Sequence, residues 1–119
     1  MTPLGARLRA LREERGVTLK QMAAALRVSS AYLSALEHGK RGKPTWLLLQ
    51  RIIAYFNIIW DEAEDLQRLA ELSDPRVTID TAGMTPEATE FANRLARDIG
   101  RLDAEGLAAL NAELVRRMK

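Results

Sequence analysis

Between Thr18 and Pro44 the chain reads TLKQMAAALRVSSAYLSALEHGKRGKP, in which two short helical segments are separated by a few residues and followed at once by a basic loop. Thr18 is a suitable N-cap for the first segment, and Ser29 or Ser30 suits the second. His38-Gly39 ends the second segment with a residue that readily adopts a left-handed backbone. The apolar positions of the first segment, which fall on one helical face, are Leu19, Met22, Ala23 and Leu26. The pattern predicts two helices joined by a tight turn.

A helix pair of this kind has a geometric use. When a tight turn holds two helices near right angles, the second can enter the roughly 12 Å wide major groove of DNA while the first crosses the phosphate backbone. That arrangement needs a small residue where the helices cross, here Ala23, and apolar residues that lock the turn, here Val28 and Leu33. Duplex DNA is therefore the partner that these residues indicate.

Three further helices are predicted around this pair. Leu4, Leu8 and Leu11 form the apolar stripe of a first helix that ends at Gly16. Pro44-Thr45 introduces a fourth helix that is apolar almost all round, which predicts a central position in the core. Its apolar residues are Trp46, Leu47, Leu49, Ile52, Ile53 and Phe56, and Trp60 is likewise expected in the core. A fifth helix is expected from a cap at Asp61 to about Leu72.

From Leu4 to about Leu72 the chain resembles the lambda-repressor-like, xenobiotic-response-element (XRE) family of helix-turn-helix DNA-binding regulators. The matching features are Gly16-Val17-Thr18, Met22-Ala23, Val28-Ser29, Tyr32-Leu33-Ser34, Leu36-Glu37 and Gly39-Lys40. The resemblance implies an all-α, five-helix DNA-binding domain over residues 1–72 that binds a palindromic operator as a dimer and regulates transcription. It also implies a structural ion pair between Arg12 and Glu37.

The chain departs from the family pattern at two positions. Leu19 stands where the family usually has a Gln that contacts a phosphate, and Lys20 or Gln21 is a candidate substitute. Arg27 stands where the turn usually has Gly, which predicts either a changed turn or a strained left-handed backbone.

The second helix of the pair offers only small and aromatic side chains to the bases. The candidate base-reading residues are Ser29, Ser30, Ala31, Tyr32, Ser34 and Ala35. This set lacks the Arg, Asn and Gln whose bidentate base contacts are worth about 1 to 3 kcal/mol each. Part of the specificity is therefore expected from DNA shape, or from Arg41 or Lys43 in a minor groove. Tyr32 is alternatively a packing residue that faces DNA only in part. The candidate phosphate-binding residues are Lys20, Gln21, His38, Lys40, Arg41, Lys43 and Thr45.

The C-terminal part follows a different pattern. Residues 73–84 are expected to form an extended connector, and residues 85–119 to form two helices that begin after caps at Thr85 and Asp103. Their apolar stripes, the candidate dimerisation residues, include Phe91, Leu95, Ile99, Leu107, Leu110 and Leu114. Two helices cannot hide both stripes by pairing only with each other. A second chain is expected to cover them; alternatively they fold back on the first domain and the dimer forms through the fifth helix.

Charge and composition narrow the function further. The net charge is +7 over residues 1–60 and −5 over residues 61–119, as expected where a polyanion-binding half is joined to a non-binding half. The chain has 119 residues, no Cys and one His, which excludes disulfides and thiolate metal sites, and no metal or other cofactor is expected. No nucleophile and base stand at suggestive spacing, and no Gly-rich phosphate loop is present, so we do not expect an enzyme. No apolar run approaches the roughly 20 residues of a membrane span.

These observations predict a bacterial-type transcription regulator, by default a repressor, in the cytoplasm and associated with the nucleoid. Its expected partners are double-stranded DNA and a second copy of itself, with RNA polymerase as a further candidate. Two alternatives stay open. One is an antitoxin whose C-terminal helices neutralise a toxin while the domain represses its own operon. The other is a protein-interaction module that has kept the fold but lost its affinity for DNA.

Overall fold

The computed structural model describes all residues, 1–119, and contains helices and no strand, which confirms the predicted all-α class. The helices, in chain order, are α1 (Pro3–Arg15), α2 (Leu19–Leu26), α3 (Ser30–Glu37), α4 (Trp46–Tyr55), α5 (Asp61–Glu71), α6 (Pro86–Asp98) and α7 (Ala104–Arg117). A short 3-10 turn, Ile99–Arg101, follows α6. The chain divides into two compact units, Met1–Val77 (unit 1) and Thr78–Lys119 (unit 2).

Most helices of unit 1 begin at a side chain that caps them. Thr2, Thr18, Ser29 and Thr45 each accept a hydrogen bond from a backbone N–H in the first turn of α1, α2, α3 and α4. Each such cap is worth about 1 kcal/mol. At α2 the cap is reciprocal, because Gln21 Oε1 also accepts from the Thr18 N–H at 2.9 Å. The expected caps at Thr18 and Ser29 are thus confirmed.

Unit 1 is built around one apolar core drawn from all five of its helices. Sixteen apolar side chains are buried in it, among them Leu8, Leu33 and Ile52, which are fully inaccessible to solvent. The core also explains a glycine inside α1. A Cβ added to Gly5 would lie 2.1 Å from the carbonyl oxygen of Glu37, so α1 meets the end of α3 at a distance that only glycine allows.

Polar contacts also join the helices of unit 1. Arg12 Nε lies 2.7 Å and Nη2 3.0 Å from the two carboxylate oxygens of Glu37, whose side chain is only 2% exposed. This bidentate bond raises the pKa of Arg12 above its ordinary value. The buried Ser73 accepts from the Leu4 N–H at 2.9 Å and donates to the Leu69 carbonyl. Ser73, the first residue of the expected connector, thus fastens the end of α5 to the start of α1.

Three expectations about the core are wrong. Trp46 is 72% exposed, Leu47 is 58% exposed and Trp60 is 81% exposed. Trp46 is the first residue of α4, and that helix buries only one face, formed by Leu48, Leu49, Ile52 and Ile53. Trp60, rather than Asp61, is the residue before α5; it has φ 56° and ψ −127° and makes no capping hydrogen bond. The apolar residues at the start of α4 and just before α5 therefore led to a prediction of more burial than the structure shows.

The turn between α2 and α3 has a strained left-handed backbone at Arg27, one of the two forms predicted from Arg in place of Gly. Arg27 has φ 60° and ψ 41°, the left-handed conformation that a non-glycine residue adopts only at a cost of about 1 to 2 kcal/mol. Its N–H bonds to the Ala24 carbonyl, and the Val28 N–H bonds to the Ala23 carbonyl, which closes α2 and starts the turn.

Unit 2 is a helical pair without a buried residue. Its helices begin as expected, at caps formed by Thr85, with Pro86 in the first turn, and by Asp103. One apolar groove of about 390 Å³ runs along the pair. Its apolar lining consists of Phe91, Leu95, Ile99, Leu102, Leu107, Leu110 and Leu114. None of the helices in either unit has the length and apolar character that a membrane crossing needs.

Candidate nucleic-acid interface

Helix α3 divides its residues between the core and the surface. Leu33, Leu36 and Glu37 are buried, and they fix the helix against the rest of unit 1. Of the candidate base-reading residues, Ser29, Ser30 and Ala31 are exposed, whereas Tyr32, Ser34 and Ala35 are half-buried. The accessible part of α3 is therefore its first turn, the end at which recognition helices contact base edges.

The hydroxyl of Ser29 already has a structural partner. Its Oγ accepts from the Tyr32 N–H at 3.0 Å, the bond that caps α3. The hydroxyl proton stays available to an acceptor on another molecule. Ser30 has no side-chain hydrogen bond within the protein, so its hydroxyl can both donate and accept.

The basic loop after α3 is held at both of its ends. Gly39 has φ 74°, which turns the chain back, and the Lys40 N–H donates to the Ala35 carbonyl at 2.9 Å. At the other end Pro44 is buried and Thr45 caps α4 through the Leu48 N–H at 3.2 Å. The exposed residues between these anchors, Arg41, Gly42 and Lys43, therefore stay close to α3.

The cations around this face have no acidic partners. Lys20, Lys40, Arg41 and Lys43 are all exposed, and none of them takes part in an ion pair. Their charge is not neutralised within the protein, so it produces a positive potential over the surface that contains the first turn of α3. A surface of this kind attracts a phosphate backbone.

Three other candidate phosphate ligands are already engaged within the protein. Gln21 uses its oxygen in the cap of α2, which leaves its amide N–H groups as donors. His38 Nδ1–H donates to the Ser34 carbonyl at 2.8 Å, which leaves Nε2 for another partner. Thr45 Oγ1 accepts in the cap of α4 and retains its proton.

The sequence pattern gave no sign of one contact in the interface. The Arg41 guanidinium carbon lies 5.6 Å from the centre of the Tyr32 ring, a cation–π distance. Tyr32 is itself half-buried and packs against the core of unit 1. The two residues are nine positions apart and join the loop to α3, so helical periodicity does not reveal their contact.

No group of three or more His, Cys, Asp or Glu side chains lies close enough to hold a metal ion. The arrangement on this surface, a partly exposed helix beside unpaired cations, is suited to noncovalent binding of a polyanion.

Comparison with known proteins agrees with the geometry. The family profile described as "Helix-turn-helix domain" matches residues 3–66, more than half of the chain. Over 61 residues the chain is 39% identical to the HTH-type transcriptional repressor RghR of Bacillus subtilis (strain 168), a match that covers 51% of this chain and 45% of RghR. It is 36% identical over 61 residues to the uncharacterized HTH-type transcriptional regulator RghRB of the same organism, covering 51% of this chain and 44% of that one.

The alignments thus span less than half the length of these curated relatives. No solved structure matches the chain significantly. The matched region contains α1 to α4, the basic loop and the first part of α5, which are the elements that form the candidate interface. The chain belongs to the helix-turn-helix family, and its matches to curated HTH-type regulators support the XRE-like resemblance of its sequence.

Proposed function

We propose that the protein is a sequence-specific repressor that binds a palindromic operator as a homodimer. The observation that carries this proposal is the exposed first turn of α3 beside four unpaired cations: Lys20, Lys40, Arg41 and Lys43. Because phosphate contacts supply most of the sequence-independent affinity, these cations hold the protein on the duplex. The first turn of α3 then meets the base edges.

The side chains have separate tasks in this complex. Base edges are met by Ser29, Ser30, Ala31, Ser34 and Ala35, and phosphates by Lys20, Gln21, His38, Lys40, Lys43 and Thr45, while the stacked pair of Tyr32 and Arg41 has a task of its own. The exposed Ser30 bonds a base edge through its hydroxyl, and Ala31 packs on a thymine methyl group. Such contacts discriminate weakly, so DNA shape supplies part of the specificity.

The homodimer is proposed to form through unit 2. A segment of about 40 residues seldom folds stably without disulfides, a metal or association, and unit 2 buries none of its residues. Its groove carries the stripes of both helices, including Phe91, Leu95, Ile99, Leu107, Leu110 and Leu114. Two copies that pack groove to groove about a two-fold axis cover both stripes and form a four-helix bundle.

Dimerisation gives the operator its symmetry. Two copies of α3 related by a two-fold axis read two half-sites of opposite orientation, at centres about 34 Å apart when both lie in successive major grooves. A dimer bound in this way blocks access of RNA polymerase to an overlapping promoter. The description of RghR as a repressor supports this sign of regulation.

The proposal is tested by selecting duplexes from a random pool with the full chain and then measuring binding of two variants. Ser30→Glu places a negative charge on the exposed first turn of α3, so its affinity for the selected duplex is expected to fall at least about 100-fold by repulsion. Ala108→Glu makes the same change of charge at an exposed site of α7 outside the groove, and is expected to bind normally.

Circular dichroism of both variants checks that the fold is kept. Normal binding by a folded Ser30→Glu variant would contradict the assigned interface. A selected sequence without two-fold symmetry, or a monomer on DNA, would contradict the homodimer on a palindrome.

A further inference from the structure

We propose that Tyr32 is a positioning residue that holds Arg41 against α3, and that Arg41 reads a guanine. This inference rests on the proposed function, since it concerns how the same surface recognises sequence. The exposed or half-buried side chains of the recognition helix are only Ser, Ala and Tyr. The strongest base contact of the complex is therefore assigned to a residue of the loop.

The contact itself provides the first argument. Arg41 lies 5.6 Å from the centre of the Tyr32 ring, and Tyr32 is held by its packing on the core and by the Ser29 cap at its own N–H. A guanidinium over an aromatic face is stabilised through that face, while the N–H donors lie in its plane and stay available at its edge. The stack therefore restricts Arg41 without using its hydrogen bonds.

The position of the stack provides the second argument. Tyr32 is the third residue of α3, so the ring that holds Arg41 belongs to the first turn, the same turn that contains the exposed Ser30 and Ala31. When that turn enters the major groove, the guanidinium is carried in beside it. The commonest specific contact in that groove is an Arg or Lys that donates to guanine O6 and N7, and the planar fork of Arg matches both acceptors at once.

A comparison with Lys43 provides the third argument. Lys43 lies on the same short loop and is equally unpaired, but it has no aromatic partner and lacks the planar fork that matches guanine. Because the stack has already restricted Arg41, that side chain loses less rotamer entropy on binding than a free one does. Lys43 is left with phosphate contact, and so serves as the matched control.

The test uses the full chain, a duplex selected by the wild-type protein, and a scrambled duplex of equal length. Tyr32→Leu and Arg41→Lys are each expected to lose about 10-fold in affinity for the selected duplex, with less than about 2-fold change on the scrambled one. Tyr32→Phe keeps the ring and is expected to restore most of the affinity that Tyr32→Leu loses. Lys43→Ala is expected to weaken binding to both duplexes alike and to reduce the salt dependence by one phosphate contact.

Two further readouts separate positioning from a merely structural role. Replacing one guanine of each half-site by 7-deazaguanine, which lacks N7, is expected to weaken the wild type about 10-fold and to leave Arg41→Lys and Tyr32→Leu unaffected. The double variant Tyr32→Leu/Arg41→Ala is expected to bind no more weakly than Arg41→Ala alone, because the two residues act as one unit. Thermal unfolding of each variant controls for stability.

Normal binding by a folded Tyr32→Leu variant would overturn the positioning role. Equal losses on both duplexes for Arg41→Lys, with no guanine sensitive to removal of N7, would show that Arg41 contacts phosphate only. If the wild-type protein selects no common sequence, the proposed function itself fails, and this proposal with it.

Discussion

The two units of this chain solve the same problem in opposite ways. Both present amphipathic helices, but unit 1 buries sixteen apolar side chains in a core of its own, whereas unit 2 buries none. Five helices that cross one another can enclose their apolar faces, and two helices cannot. The comparison teaches that unit 1 has a core of its own to stabilise it, whereas unit 2 has an open apolar groove and no core.

The charges of the two units differ in a parallel way. In unit 2 all five arginines, Arg94, Arg97, Arg101, Arg116 and Arg117, pair with acids of the same unit. In unit 1 the cations around α3 have no such partners. Neutralised cations are suited to a helix surface beside an apolar contact, and unpaired ones to a polyanion.

The largest expected effect on stability comes from replacing a glycine of unit 1, and the same replacement in unit 2 is its control. Gly5→Ala places a Cβ 2.1 Å from the Glu37 carbonyl oxygen, where backbone cannot easily give way, so unit 1 is expected to lose about 3 kcal/mol or more of its free energy of unfolding. Gly100→Ala in unit 2 meets no atom within 4 Å and is the matched control, expected to change stability by less than about 0.5 kcal/mol. Chemical denaturation, with hydrogen exchange as the residue-level readout, measures the free energy of unfolding of both variants. Equal effects would show that the two units are packed alike.

The next effect concerns the groove of unit 2. Leu110→Glu puts a charge on its apolar lining, so the association constant of the proposed homodimer is expected to fall at least about 100-fold. Ala108→Glu adds the same charge two residues away, outside the lining, and is expected to leave association intact. Sedimentation equilibrium measures the masses of both. If the Leu110→Glu variant stayed dimeric, the proposed dimer interface in unit 2 would be wrong.

A smaller effect is expected from the strain within unit 1. Arg27→Gly removes the strain of a side chain on a left-handed backbone, but it also raises the conformational entropy of the unfolded chain. The net effect is an expected stabilisation of up to about 1 kcal/mol. Arg27→Ala keeps the strain and serves as the control, with no gain. Thermal and denaturant unfolding compare the three proteins. If Ala stabilised as much as Gly, the loss of the charge would be the cause.

The smallest effect is the pH dependence of unit 2. Hydrogen bonds from Arg116 and Arg117 lower the pKa of Glu113 below its ordinary value of 4.5, and Arg97 lowers the pKa of Asp98 below 3.8. When folding lowers the pKa of an acid, the resulting stabilisation is fully present at a pH above the acid's ordinary pKa. It is lost as the pH falls through the lowered pKa of the folded state. Helicity of unit 2 is therefore expected to decline slightly below about pH 4.5.

Circular dichroism between pH 7 and pH 2.5 measures this decline, and Glu113→Gln is expected to flatten it. Because the partner arginines are exposed and both acids are only half-buried, salt is also expected to reduce the effect. A decline that Glu113→Gln leaves unchanged would assign the pH dependence to other groups.

The helices could be predicted from the sequence because their signals are local. Caps such as Thr18 and Thr85, and stripes such as Leu4, Leu8 and Leu11, depend on residues within a turn or two of each other. Trp46 and Trp60 were misplaced because burial depends on which face of a helix meets the rest of the fold. Local composition does not specify that face.

The candidate interface was predictable in outline and not in detail. Order along the chain located α3 and the basic loop, but the stack of Arg41 on Tyr32 and the close approach of Gly5 to Glu37 join residues distant in sequence. A glycine inside a helical pattern is a usable signal of close packing, since it costs about 1 kcal/mol relative to Ala. Gly5 could have been found in that way, whereas the stack could not.

The central claim, that the first turn of α3 and the basic loop contact DNA, is tested most directly by NMR chemical-shift mapping of the full chain against its selected duplex. We expect the largest amide shifts over residues 29–32 and 40–45, with smaller ones near Lys20. Shifts confined to residues 78–119, or shifts in unit 1 that avoid α3 and the loop, would contradict the claim.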